Sequence, residues 1–257
     1  MIAIAALCGA VAFQAKADGV VSSDVVGYDT FGLRGNGTAI GAGPSFLKVD
    51  NSATTLGDIT VTGYDTDEGY ADFDVFAKQL DGYGRGGTTY YWADFEEDGV
   101  TYKGWYDGDM NEYNDLALVP GEGLWVYSPS TNFKIQNSGS VPKSDISVVL
   151  RGSGTAKMVS NPMPTTLTLG DITVAGYDSD EGYADFDVFA KKLDGYGRGG
   201  TTYYWADFEE DGVTYYGWYD GDMNEYNDVA VAAGEGLWIY SPSTSFSVVF
   251  PSPLVNE

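Results

Sequence analysis

The amino-acid sequence predicts an all-β protein of two tandem, nearly identical modules, each an antiparallel β-sandwich or barrel-like unit. The first observation is a duplication: residues 57–133 recur as residues 170–246, and ten of the 77 aligned positions differ. The second is composition, because 35 glycines and 15% aromatic residues favour short strands joined by tight turns. The third is spacing, since turn residues recur about every 8–12 positions, as in sandwiches and barrels.

The duplication also predicts the domain boundaries. An apolar, uncharged run over residues 1–13 precedes a small-x-small site at residues 15–17, a pattern typical of a cleaved secretory signal peptide. We therefore expect residues 1–17 to be a signal peptide, residues 18–140 to be module one and residues 141–257 to be module two. Each module is long enough to bury its own core. The expected location is secreted or cell-surface.

The first half of module one alternates apolar and polar residues. Residues 20–33 indicate one or two strands, and residues 59–63 alternate as in a half-buried strand. Residues 71–79 fit either a strand or a helical face. We prefer the strand, because the segment after the glycine-rich loop at residues 81–87 has the composition of a hairpin partner.

The second half of module one consists of short strands and turns. We predict strands at residues 88–95 and 100–106, joined by a hairpin turn at Asp98-Gly99. Further strands are predicted at 116–118 and 124–127, each ended by a proline. Phe133 and Ile135 close the module, and a polar linker is predicted over residues 137–144. Module two repeats this order.

Charge and composition exclude several classes of function. The net charge is −25, and each repeated block holds 16 acidic residues against 3 basic ones. Such a surface repels nucleic acid and anionic lipid, so we expect no nucleic-acid binding. No segment after residue 17 is long and apolar enough to span a membrane, so we expect no membrane insertion. An acidic, solvated surface that keeps molecules apart is an alternative interpretation. His is absent and Cys8 is the single cysteine, which removes the commonest general base and the commonest metal ligands.

Two short motifs frame each module. Module one closes with Pro120-Gly121-Glu122-Gly123-Leu124-Trp125-Val126, and module two opens with Lys157-Met158-Val159-Ser160-Asn161-Pro162. Gly234-Glu235-Gly236-Leu237-Trp238-Ile239 matches the closing motif. These motifs resemble exported bacterial β-repeat modules, which open with a Ser-x-Pro-type strand and close with Pro-Gly-x-Gly-aromatic-Trp-Val. The chain departs from that pattern at Leu124, at Ala233 and in the opening of module one. The resemblance implies secreted or surface β-modules of undefined function, and it implies no catalytic residue.

Acidic loops are the first candidate sites. Calcium takes 6–8 oxygen ligands, and flexible loops rich in carboxylates can supply them. The candidate ligands in module one are Asp65, Asp67, Glu68, Asp107, Asp109 and Asn111. Those in module two are Asp178, Asp180, Glu181, Asp220, Asp222 and Asn224. Solvated hairpin turns, where Asp and Asn bond to the local backbone, explain the same residues without a metal. No cofactor is expected to be required, and calcium is possible.

Exposed aromatic side chains are the second candidate. Alternation along a strand places one set of side chains in the core and leaves the other set to face solvent, where it could stack on sugar rings. The candidates are Tyr91, Trp92, Trp105, Tyr204, Trp205 and Trp218. Cross-strand aromatic pairing that stabilises the sheet is the structural alternative.

The function expected from these observations is a non-enzymatic one. A structural or adhesive role at the cell surface or in the extracellular matrix is favoured, with extracellular glycans or cell-surface components as partners. The alternative is a bivalent carbohydrate-binding protein. A carboxylate-based glycoside hydrolase is a remote alternative. Near-identical neighbouring modules can also exchange strands, so a homo-oligomer is possible.

Overall fold

The fold is all-β, as the sequence predicts. The computed structural model describes residues 26–33, 39–42, 54–63, 72–78, 88–152, 156–176, 186–192 and 201–254. Within these residues all paired strands are antiparallel, no sheet closes into a barrel, and the helical segments are single 3-10 turns at Leu56–Asp58 and Leu169–Asp171. The architecture is therefore sandwich-like.

The strands of the two modules correspond one to one in the described residues. Those of module one are Val26–Gly32 (β1), Ala39–Ala42 (β2), Thr54–Thr55 (β3), Thr60–Thr62 (β4), Phe76–Lys78 (β5), Thr89–Glu97 (β6), Val100–Tyr106 (β7), Ala117–Leu118 (β8), Leu124–Tyr127 (β9) and Lys134–Ser140 (β10). Those of module two are Ile146–Val149 (β11), Ala156–Ser160 (β12), Leu167–Thr168 (β13), Thr173–Ala175 (β14), Phe189–Lys192 (β15), Thr202–Glu210 (β16), Val213–Tyr219 (β17), Ala230–Val231 (β18), Gly236–Tyr240 (β19) and Ser247–Phe250 (β20).

Each module has a five-stranded and a three-stranded sheet with the same strand order. In module one these are β2-β9-β5-β6-β7 and β1-β10-β4, with a short β3-β8 pair beside them. In module two they are β12-β19-β15-β16-β17 and β11-β20-β14, with β13-β18. The turn residues of the β6–β7 hairpin, Asp98 and Gly99, both have positive φ, 51° and 78°. This is the twist-matched two-residue turn that an Asp-Gly pair predicts.

Alternation along β6 divides its side chains between two faces. Tyr90 and Trp92 point into the core and are 5% and 3% exposed, whereas Tyr91 points to the outer face and is half-buried. Trp92 lies opposite Trp105 of β7, and their ring centroids are 5.4 Å apart in an edge-on arrangement. Edge-on aromatic pairs of this kind add stability beyond the area they bury.

The core of each module lies between its sheets and contains a buried hydrogen bond from a tryptophan side chain. One apolar cluster is drawn from residues 33–135 and a second from residues 148–250. The Trp105 indole N–H donates to the Ile59 carbonyl oxygen at 2.8 Å, and the Trp218 indole N–H donates to the Ile172 carbonyl oxygen at 2.7 Å. Each bond joins the five-stranded sheet to the segment that leads into the three-stranded sheet.

The two modules contact each other through main-chain hydrogen bonds. The closing turn of module one, residues 121–123, lies alongside β12 of module two. The Gly123 N–H donates to the Met158 carbonyl oxygen at 3.0 Å, and the Ser160 N–H donates to the Gly121 carbonyl oxygen at 2.9 Å. The Ser160 hydroxyl donates to the Glu122 carbonyl oxygen at 3.1 Å. The closing turn thereby covers the strand that ends the five-stranded sheet of module two, which would otherwise present unpaired groups.

Side chains add an ion pair and an apolar contact to this interface. Glu122 Oε1 lies 3.1 Å from Lys157 Nζ. Trp125, 7% exposed, packs against Met158, 2% exposed, together with Phe76 and Trp238. We call these four residues the interface cluster.

The interface glycines leave no room for a side chain. A Cβ at Gly123 would collide with the Met158 side chain, and a Cβ at Gly121, where φ is 84°, would collide with Val148. Glycine is therefore required at both positions of the closing turn.

Two sequence predictions need correction. The linker predicted over residues 137–144 does not begin at Asn137, because β10 continues to Ser140 and pairs along its whole length with β1. The strand predicted at residues 71–79 is shorter, since residues 72–75 form a turn before β5. The predicted signal peptide and the acidic segments at residues 65–68 and 178–181 lie outside the described residues.

From the indole hydrogen bond we predict that Trp105 and Trp92 contribute unequally to the free energy of unfolding. Within the described residues, Nε1 of Trp92 has no hydrogen-bond partner, whereas Nε1 of Trp105 bonds to Ile59. Trp105→Phe leaves a buried carbonyl unpaired, so we expect it to lower the free energy of unfolding by about 1–3 kcal/mol more than Trp92→Phe. Urea denaturation of the two full-length variants measures the difference. Equal losses would contradict the role given to the bond.

Candidate binding surface

The outer face of each five-stranded sheet carries a row of aromatic side chains. In module one, Phe76 of β5 lies opposite Tyr127 of β9 on one side and Tyr91 of β6 on the other, and Tyr91 lies opposite Tyr106 of β7. The Phe76 and Tyr127 rings are stacked with centroids 4.7 Å apart, and the Phe76 and Tyr91 centroids are 5.8 Å apart. We call these four residues the aromatic row of module one. Adjacent strands lie about 4.8 Å apart, so the row is about 14 Å long.

Three further rings extend the row toward the β6–β7 turn. Phe73 contacts Tyr91 and Phe95 edge-on, with centroids 6.3 and 6.0 Å apart. The Phe95 ring stacks on Tyr102 at 4.9 Å. Phe73 has a φ of 72°, a left-handed conformation that is costly for a bulky side chain. Its N–H bonds to the Trp92 carbonyl oxygen at 2.9 Å, and this bond holds the ring against the row.

Module two carries the same row at the same spacing. Its members are Tyr240, Phe189, Tyr204 and Tyr219. The Phe189 centroid lies 4.7 Å from that of Tyr240 and 5.8 Å from that of Tyr204. Phe186, also at a φ of 72°, contacts Tyr204 and Phe208 as Phe73 contacts its neighbours in module one. The duplication has therefore produced two matching surfaces.

The structure corrects the predicted stacking residues. The four predicted tryptophans are only 0–3% exposed, so none can stack on a ligand; they are Trp92, Trp105, Trp205 and Trp218. Alternation along their strands directs these side chains into the cores. Tyr91 and Tyr204 do lie on the outer face, half-buried within the rows. Sequence reasoning missed Phe76 and Tyr127, although Phe76 alternates with Val75 and Ala77, which are buried.

The charges beside each row are mixed. In module one Lys78 lies two residues along β5 from Phe76, on the same face, and Glu112 forms a β-bridge with Tyr106, which ends the row on β7. Burial, and then the nearby Glu112 carboxylate, raise the pKa of the Tyr106 phenol above its usual value. Burial and Glu225 raise the pKa of Tyr219 in the same way. A raised pKa keeps these phenols in the neutral form over a wider pH range than a free tyrosine.

The described acidic loops are closed by their own hydrogen bonds. The Asp107 Oδ1 accepts from the backbone N–H groups of Asp109 and Asn111, both at 2.9 Å, and the Asn111 Nδ2 donates to both Asp107 oxygens. The bond from the Asn111 side chain is the largest cause of a lowered Asp107 pKa. This arrangement is the local backbone bonding that the turn interpretation of the loop predicts.

The equivalent loop of module two has the same hydrogen bonds. Asp220 accepts from the backbone N–H groups of Asp222 and Asn224 and from the Asn224 side chain, and the side-chain bond is the largest cause of its lowered pKa. In the described part of the chain, no three carboxylate, His or Cys side chains converge so as to hold a metal ion. Calcium binding remains a prediction, since half of its candidate ligands lie outside that part.

Comparison of the chain with protein-family models, with curated proteins and with solved structures finds no match. Over the residues described, no helix has the length and apolarity needed to cross a membrane. The inference of function therefore depends on the surfaces of the molecule itself.

From the hydrogen bonds of Asp107 and Asp220 we predict that the protein loses stability in acid. Their pKa values are lowered from the usual 3.8, so the ionised form stabilises the fold above that pH, and the stabilisation is lost as the pH falls through the lowered value. The melting temperature of the wild-type protein should fall more steeply below about pH 4 than that of the Asp107→Asn/Asp220→Asn double variant. Thermal unfolding followed by circular dichroism measures both curves.

A matched pair of substitutions controls for the loss of two charges. Asp115→Asn with Asp228→Asn removes two carboxylates from the same loops but leaves the Asp107 and Asp220 bonds in place. Its curve should run parallel to that of the wild type. Parallel curves for all three proteins would show that these bonds do not contribute to acid stability.

Proposed function

We propose that this is a secreted, non-catalytic protein with a structural or adhesive role at the cell surface or in the extracellular matrix. The observation that carries the proposal is the matching pair of aromatic rows on the outer faces of the two five-stranded sheets. Core packing does not need these rings, because the opposite face of each sheet already forms the core. Tyr91 and Tyr204 at the centre of the rows are half-buried, and tyrosine rings with a polar tip are typical of surfaces that contact a partner.

Composition supports the non-catalytic and extracellular parts of the proposal. The chain has no His, and its 38 acidic residues form no pair set apart by a catalytic motif. The signal-like segment at residues 1–17 favours export. A net charge of −25 disfavours nucleic acid and anionic lipid as partners.

A bivalent carbohydrate-binding protein is the second candidate. Tyr91 and Tyr204 occupy equivalent places in the two rows, and half-buried tyrosines combine a ring face with a hydroxyl group. Two equivalent sites on one chain gain avidity when both contact one partner. Calcium in the acidic loops would be compatible with either candidate, and a melting temperature raised by calcium relative to chelator would support it.

Adhesion of cells that display the protein tests the proposed function. The double variant Tyr91→Ala/Tyr204→Ala should reduce attachment to purified extracellular matrix about tenfold, since it truncates the centre of both rows. The control is Val149→Ala, which removes an apolar side chain that is 58% exposed on the three-stranded sheet. Attachment is counted after a shear wash, and surface display of each variant is measured by antibody. Undiminished attachment of the double variant would refute the role of the rows.

A further inference from the structure

The two modules differ at one exposed position on the long hairpin of the five-stranded sheet. Residues 80–102 of module one recur unchanged as residues 193–215, but the next residue is Lys103 in module one and Tyr216 in module two. Both side chains are exposed, and both lie on the face of the sheet opposite the aromatic row. The two copies therefore present different chemistry on otherwise matching surfaces.

In module one the lysine pairs with a carboxylate of the neighbouring strand. Lys103 lies opposite Asp94 of β6, and Lys103 Nζ is 3.0 Å from Asp94 Oδ2. Both side chains are exposed, so the ion pair adds little to stability. Its main effect is to place a positive charge on this face, where it repels a second cation at close range.

In module two the equivalent face lacks the lysine and carries an exposed ring. Tyr216 lies opposite Asp207 of β16, and Glu209 lies opposite Thr214 of β17. All four side chains are exposed. The two strands contain three carboxylates and no lysine or arginine. We call Asp207, Glu209, Thr214 and Tyr216 the acidic face of module two.

Contact with the core positions the ring of Tyr216. The ring centroids of Tyr216 and Trp205 are 5.2 Å apart in an edge-on arrangement, and Trp205 is buried. Tyr216 itself is 50% exposed. An exposed ring beside two carboxylates attracts a cation through the electron-rich ring face and through the nearby negative charges. The planar guanidinium of arginine, which stacks on aromatic rings, matches this arrangement best.

The main chain of β17 is open beside the acidic face. β17 is the last strand of its sheet, so within the described residues only β16 pairs with it as a strand. The loop after β17 covers the far part of its outer edge. There Asn227 Nδ2 donates to the Tyr216 carbonyl oxygen at 3.3 Å, and the Tyr226 N–H donates to the Trp218 carbonyl oxygen at 2.8 Å. Thr214 directs its N–H and C=O groups to the same side, because main-chain directions repeat every second residue, and these groups remain open to an added strand.

We propose that the acidic face and the open edge of module two bind an extended basic segment of a partner protein, with arginine or lysine at every second residue. The segment adds to β17 as a further strand through hydrogen bonds to Thr214. Every second side chain of an added strand lies over the acidic face. One cation reaches Glu209 across the small Thr214 side chain, and the next stacks on Tyr216 beside Asp207. This inference goes beyond the adhesive function and does not depend on it, since the aromatic row lies on the other face.

Charge and main-chain geometry together specify this partner. The net charge of −25 attracts cationic chains and repels polyanions. An open strand edge selects a polypeptide, because a polypeptide carries N–H and C=O groups at the spacing of a strand and a cationic polysaccharide does not. A second copy of this chain is a poor partner, since its hairpin tips carry the same carboxylates.

Calorimetric titration of the full-length protein with an acetylated, amidated octapeptide of alternating Arg and Thr tests the inference. The wild type should bind one peptide. Tyr216→Lys gives module two the residue of module one and should lower the affinity about tenfold, because a repelling charge replaces the ring. The control is Val149→Lys, which adds the same charge at a side chain 58% exposed on the three-stranded sheet and should leave the affinity close to that of the wild type.

The reciprocal variant should create a second site. Lys103→Tyr gives module one the residue of module two, so the number of bound peptides should rise from one to two. Each substitution introduces the residue that the other copy carries at the equivalent position of the same fold, so both variants should fold. An octapeptide with N-methylated arginines keeps the charges but cannot donate main-chain hydrogen bonds to the edge. It should bind about tenfold more weakly than the parent peptide.

Several results would overturn the inference. Equal affinity of Tyr216→Lys and the wild type, or two peptides bound to the wild type, would show that Tyr216 does not define a site. Equal binding of the N-methylated peptide or of chitosan would show attraction to the acidic surface without strand addition. Failure of the octapeptide to bind would also overturn it. None of these results affects the adhesive function, which the attachment of Tyr91→Ala/Tyr204→Ala tests separately.

Discussion

The register of the β6–β7 hairpin is the constraint on which the other features of each module depend. With Trp92 opposite Trp105, the tryptophans face the core, and Tyr91 and Tyr106 lie on the opposite face of the sheet. A slip of one residue in either strand would exchange the two sets, because side chains alternate with a period of two. The Asp98-Gly99 turn prevents the slip, since both residues have the positive φ that a two-residue hairpin needs. The indole hydrogen bond of Trp105 then fixes the hairpin to the rest of the core.

Two edges of the five-stranded sheets are covered by neighbouring segments of the chain. The outer edge of β7 is partly covered by the loop after it: the Tyr113 N–H bonds to the Trp105 carbonyl oxygen, and the Asn114 side chain bonds to Trp105 N–H and to the Lys103 carbonyl oxygen. The β12 edge of module two is covered by the closing turn of module one. Covering the edges reduces the tendency of sheets to pair with other molecules. The acidic hairpin tips, including Glu96 and Glu97, add like-charge repulsion.

The equivalent glutamates of the two closing turns have different partners. Glu122 and Glu235 occupy the same place in the closing turn, yet Glu122 pairs with Lys157 across the interface and Glu235 pairs with Lys192 inside its own module. Module one has Gln79 where module two has Lys192, so it lacks that internal cation. The two equivalent carboxylates therefore form different ion pairs, one between the modules and one within module two.

The sequence alone determined the all-β class, the duplication and the positions of most strands, because alternation, turn residues and repetition are local properties of the chain. It also predicted that the Asp107 loop is polar and that the aromatic side chains of a strand lie on both faces of the sheet. Only the tertiary structure decided which face was buried, since Trp92 and Tyr91 are equally strong strand formers and their direction depends on where the second sheet lies. Pairing between β12 and residues 121–123 was likewise invisible in the sequence, because it joins segments through backbone groups that every residue carries.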